Sequence, residues 1–66
     1  MTVTVNGMRR ELPEGATLDG VLDELGVPPS GVAVAVDGAV VTRASWAATT
    51  LTDGATVEVL TAMQGG

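Results

Sequence analysis

With 66 residues the chain has material for one small domain and one core, which excludes a multidomain enzyme. Apolar residues make up 45% and charged residues 17%, too apolar for a disordered chain, and the absence of cysteine excludes disulfides and thiolate metal sites. Three arginines against eight carboxylates give a net charge of −5, which opposes nucleic acid and anionic membranes as partners.

Thr2 to Asn6 opens with Thr-Val-Thr-Val, the alternation of a half-buried strand. Asn6-Gly7 is a two-residue hairpin signal, because both central residues of a type I′ turn need positive φ. Met8 to Leu12 is then the returning strand, stopped by Pro13-Glu14-Gly15. Leu18, Val21, Leu22 and Leu25 follow at i, i+3, i+4 and i+7, one face of a helix. Thr17 is placed as its N-cap, and Asp19 suits the positive end of the helix dipole. Gly26 is placed to end the helix in the left-handed region, with Pro28 and Pro29 forbidding continuation. Gly20 costs roughly 1 kcal/mol against alanine inside a helix. The reason expected for it is close packing of helix on sheet.

Val32 to Val36 alternates as a strand, Asp37-Gly38 turns it, and Ala39-Val40-Val41 returns. Thr42 to Thr50 has no strand period and suggests one helical turn around Ser45-Trp46-Ala47. Asp53-Gly54 marks another turn. Thr56 to Thr61 is the last strand, with Val57 and Val59 on one face and Glu58 and Leu60 on the other. Residues 62–66 remain as a flexible tail.

The single helix must cover one face of the sheet. Val3, Val5, Val32, Val34, Val36, Val57 and Val59 are expected against it. Thr2, Thr4, Ala33, Ala35, Glu58 and Leu60 then face solvent. This predicts an α+β fold in one domain, residues 1–66. A mixed sheet of about five strands is crossed by one helix, with the first and last strands parallel at the centre: the β-grasp arrangement.

Chemistry has few places to sit. Histidine and lysine are absent, which removes the commonest general base and metal ligand, the Schiff base and the Walker A lysine. No metal site is expected. Asp19, Asp23 and Glu24 read as the solvated helix face, Asp37 and Asp53 as turn residues. Ser45 has no base to activate it. The acidity either steers a basic partner surface or simply keeps an apolar domain soluble. Trp46, the one aromatic residue, reads as a plug at one end of the core, with an interface anchor as the alternative. Arg43 either packs on that ring or meets a partner carboxylate. No stretch approaches a membrane span and the first residues lack a signal-peptide core, so a cytoplasmic location is expected.

The tail is the remaining candidate. Gly65-Gly66 stands at the end of the sequence, a few residues after the last strand. Five residues from Ala62 reach at most roughly 16 Å. That suffices to thread a terminal carboxylate into another protein, and glycine's missing Cβ suits a narrow channel. A frayed terminus is the plain alternative.

Taken together, the short length, VTVNG, ATLDGVLDELG, VAVAVDGAVVTRASW, TDGATVEVLTAMQGG and the terminal Gly65-Gly66 resemble the β-grasp sulfur carriers. The resemblance is closest to the thiamine-biosynthesis (ThiS) family and covers nearly the whole chain, with Arg43 and Trp46 at positions where that family commonly has arginine and tryptophan. It implies that a ThiF-like adenylating enzyme uses ATP to activate the Gly66 carboxylate. Sulfur from a donor enzyme then replaces AMP as a C-terminal thiocarboxylate, which a ThiG-like thiazole synthase consumes. It implies a non-enzymatic carrier, monomeric when free, whose cofactor chemistry is limited to the covalent acyl-adenylate or thiocarboxylate. Gly66 would carry the sulfur, with Gly65, Gln64 and Met63 as the tail. Leu60, Glu58, Ala33 and Ala35, on the open sheet face, are the expected partner surface. The small subunit of molybdopterin synthase, another pathway's β-grasp sulfur carrier, a ubiquitin-like modifier and a plain interaction module are the alternatives. Met63-Gln64 departs from the proline that often precedes the molybdopterin-family tail.

Overall fold

The structure is a computed structural model that describes residues 1–28 and 30–61. Strands β1 (Thr2–Val5) and β2 (Met8–Glu11) form a hairpin, followed by helix α1 (Leu18–Glu24). Strands β3 (Val32–Val36) and β4 (Ala39–Val41) form a second hairpin. A 3-10 helix, Arg43–Ala48, leads to β5 (Thr56–Thr61). The strands make one sheet in the order β2-β1-β5-β3-β4. The β1–β5 pair is parallel and the two hairpins are antiparallel, as the sequence predicts, and β3 also pairs antiparallel with β5.

Both hairpin turns carry the expected left-handed pairs. Asn6 and Gly7 have φ of 50° and 81°, and Asp37 and Gly38 have 51° and 84°. Their twist matches that of the flanking strands, so the two-residue connections set register: Val5 faces Met8, and Val36 faces Ala39.

The helix begins as expected. The Thr17 hydroxyl accepts from the Gly20 N–H at 3.2 Å, and Asp19 lies in the first turn. Gly26 takes φ 74° just beyond the end. The expectation for Gly20 is corrected. It is exposed and touches no strand; the atom a Cβ would crowd is the capping Thr17 oxygen at 3.3 Å. Its small size leaves room for the cap, not for the sheet.

Leu18, Val21 and Leu22 bury against Val3, Val5, Val34 and Val57. Val32, Val36, Val59 and Leu25 sit half-buried around this centre. Leu12, Trp46, Leu51 and Ala55 complete the core from outside the regular elements. The segment after β4 is longer than the single turn expected. It is tied to the helix entrance by Leu18 N–H to Thr49 O (2.8 Å) and Leu51 N–H to Ala16 O (2.9 Å). These bonds press Leu51 and Trp46 inward. Trp46 is 4% exposed, and its indole N–H donates to Val41 O at 3.0 Å. It is therefore a core plug with its one polar atom satisfied.

Candidate functional site

β5 lies at the centre of the sheet and leads toward the diglycine. With Val57 buried against the helix, the period of two turns Glu58 and Leu60 to the opposite face. Leu60 pairs with Ala33 and Glu58 with Ala35, so the four residues expected on this surface are neighbours on two adjacent strands. Leu60 is 67% exposed; Glu58 and Ala33 are exposed, and Ala35 is half-buried. A shallow depression of about 370 Å³, lined by Gly31, Val32, Ala33, Leu60 and Thr61, lies beside the exit of β5.

The sequence reading missed Val40. It faces Ala35 across the β3–β4 ladder and is 76% exposed, extending the apolar patch to a third strand. The signal was available in the Asp37-Gly38 turn. A two-residue connection pairs Val36 with Ala39 and hence Ala35 with Val40. Thr4, Thr56 and Arg9 continue the same face on the other side as polar surface.

Asn6 has a second role that its turn motif concealed. Its backbone N–H donates to Val57 O at 2.9 Å. Its side-chain amide then donates to Val59 O at 3.1 Å and accepts from Val59 N–H at 2.7 Å. The amide thus continues the parallel ladder beyond the end of β1, two residues short of Thr61. Asp37 does the same at the start of β5. Its N–H donates to Thr56 O at 2.8 Å, and its carboxylate accepts from Thr56 N–H at 2.9 Å. The first residue of each hairpin turn therefore clamps one end of the central strand.

Met63, Gln64, Gly65 and Gly66 lie outside the described residues. Among the described residues no cluster of three or more acidic side chains is placed to hold a metal. Among the described residues no helix is long and apolar enough to cross a membrane.

A helix laid across a mixed five-stranded sheet with a parallel central pair defines a β-grasp domain. The ThiS family model matches residues 3–66, and the chain belongs to the ThiS family. It is similar to the crystal structure of the thiamine biosynthesis protein ThiS from Geobacter metallireducens, with a TM-score of 0.83 and 36% identity over the whole of both chains. It is also similar to the solution NMR structure of a thiamine biosynthesis protein from the same organism, with a TM-score of 0.80 and 36% identity over all of this chain and 88% of that one. No curated protein matches the chain.

Proposed function

We propose that this chain is a sulfur carrier for the thiazole ring of thiamine. The observation that carries the reading is the family match, which runs through the β-grasp domain to Gly66. A ThiF-like enzyme joins the Gly66 carboxylate to AMP and releases pyrophosphate from ATP. A free carboxylate is a poor electrophile; the acyl-adenylate is attackable at carbon. The outer sulfur of a donor enzyme's persulfide attacks the acyl carbon and expels AMP, and a thiol then cleaves the resulting acyl disulfide, leaving the thiocarboxylate that a ThiG-like thiazole synthase takes up. The chain itself supplies a handle and an address. It has no histidine, cysteine or lysine to react with its own cargo, which suits a carrier.

Gly65, Gln64 and Met63 are the thread into the partner's site. Leu60, Ala33, Ala35, Glu58 and the newly found Val40 are the docking surface. A flat apolar patch with one charge, beside the exit of β5, has the composition of a protein interface.

The test is intact-protein mass spectrometry after incubation with a ThiF-like enzyme, ATP and a sulfur donor. The expected product is heavier by the replacement of one oxygen with sulfur, and the change maps to Gly66. Deleting Gly66 or adding one residue after it should leave the fold intact and abolish adenylation, because the reacting carbon is misplaced. Normal pyrophosphate release from the extended variant would overturn the reading.

A further inference from the structure

β2 is one edge of the sheet, and its four residues Met8-Arg9-Arg10-Glu11 are all exposed. Leu12 N–H donates to Met1 O at 2.8 Å, which makes Met1–Leu12 a hydrogen-bonded pair. Antiparallel pairs alternate, so Arg10 and Met8 also direct their backbone groups inward to β1. The N–H and C=O of Arg9 and Glu11 point outward, a row of backbone donors and acceptors open to another strand.

The side chains on this edge are those a polyanionic segment would meet. Two of the chain's three arginines lie here, in a protein of net charge −5. Among the described residues neither the Arg9 nor the Arg10 guanidinium has a hydrogen bond or an ion pair. Glu11 is already occupied by the Thr2 hydroxyl at 2.6 Å. Arg9 shares the open face with Thr4, and Arg10 shares the helix face with Val3. An added strand would therefore find one cation on each side. Beneath it, between β2 and α1, runs a groove of about 430 Å³ lined by Arg9, Arg10, Leu12, Val21 and Leu25 together with the acidic Glu11 and, on the helix rim, Glu24.

We propose that the β2 edge is a second docking surface, which takes an extended acidic segment of a partner protein by strand addition. The segment pairs its backbone with Arg9 and Glu11. It sets carboxylates against the two arginines and lays an apolar side chain over Leu25 and Val21. Backbone pairing supplies affinity, and the alternating side chains supply selectivity. A second copy of this chain fits worse. In the register that pairs the outward-facing residues, two β2 strands would set Arg10 against Arg10 at the centre, which is destabilising across a ladder, while Arg9 would meet Glu11 on either side. The surface lies at the far edge from the Leu60–Val40 patch, so the segment and a tail-threaded partner bind at the same time.

The test is a titration of the 15N-labelled full chain with the capped peptide acetyl-VTEDIV-amide, whose adjacent carboxylates fall on opposite faces of a strand, read by amide chemical shifts and hydrogen exchange. Shifts are expected at Met8–Leu12 and along the exposed side of α1, with slowed exchange of the Arg9 and Glu11 amides. The basic peptide acetyl-VTKKIV-amide should bind at least about tenfold more weakly, as should the acidic peptide to the Arg9→Glu, Arg10→Glu double variant. Arg9→Lys and Arg10→Lys should retain most of the affinity. Equal binding of both peptides, shifts centred on Leu60 and Val40, or no response at millimolar peptide would overturn the proposal. So would self-association through β2, seen as concentration-dependent shifts without peptide. The peptide comparison decides the matter even if the double variant fails to fold.

Discussion

Replacing Asn6 separates two physical effects that one residue combines. Asn6→Ala removes both side-chain bonds to Val59, at 3.1 and 2.7 Å. Each such bond contributes about 0.5–1.5 kcal/mol net, and the low end applies at this exposed position. It also forces a Cβ-bearing residue without a local polar partner to hold φ at 50°, worth about 1 kcal/mol. The sum is about 2–3 kcal/mol. Asn6→Gly loses the same bonds without the steric term and should cost about 1–2 kcal/mol. A domain of this size has only about 3–10 kcal/mol in all, so Asn6→Ala should lower the melting temperature by roughly 8–24 °C. Urea denaturation followed by fluorescence of Trp46, the single buried tryptophan, measures both variants. Hydrogen exchange of the Val59 amide reports the clamp directly and should speed up in both. If Asn6→Gly matched the parent within about 0.3 kcal/mol with Val59 exchange unchanged, the clamp would carry no energy. If the two variants were equally unstable, the left-handed backbone would not be the second term.

The face assignment of β5 predicts opposite outcomes for neighbouring positions. Leu60→Arg should stay within about 0.5 kcal/mol of the parent yet weaken binding of the adenylating enzyme by roughly 1–3 kcal/mol. Val57→Arg, at 0% exposure, should unfold the domain. Thermal melts with a binding titration check both; an unfolded Leu60→Arg variant, or one that binds normally, would remove that surface from the site. Trp46→Phe keeps most of the packing but loses the indole bond to Val41 O, and should cost about 0.5–1.5 kcal/mol, whereas Trp46→Ala should cost about 3–5 kcal/mol. Circular dichroism melts distinguish that order from a surface-anchor role, in which neither change would lower stability.

The regular elements and their faces were legible in the sequence because their signals are local. Alternation in Thr2–Val5 and Thr56–Thr61 marks strands with one buried side, and the Leu18, Val21, Leu22 spacing marks one helical stripe. Asn6-Gly7 and Asp37-Gly38 specify hairpins because few other dipeptides accept two positive φ values. One helix and five strands then leave little choice of topology, since the valine faces have only one partner to bury against. The resemblance that placed the chain in the ThiS family was likewise carried by residues read in order.

What only the tertiary structure decided involves residues distant in the chain. Leu12, Leu51 and Ala55 join the core although no period announces them; they are drawn in by backbone bonds such as Leu51 N–H to Ala16 O. Gly20 reads locally as a packing glycine, yet its neighbour is the cap oxygen of Thr17. Asn6 and Asp37 read as turn formers, and nothing local reveals that their side chains reach β5, 53 residues away in the case of Val59. The free edge of β2, with two arginines that are unpaired among the described residues, follows from strand order, which is set by the whole sheet. Periodicity is a property of one segment and survives in the sequence alone; a clamp, a groove or an open edge is a relation between segments and exists only once the chain has closed on itself.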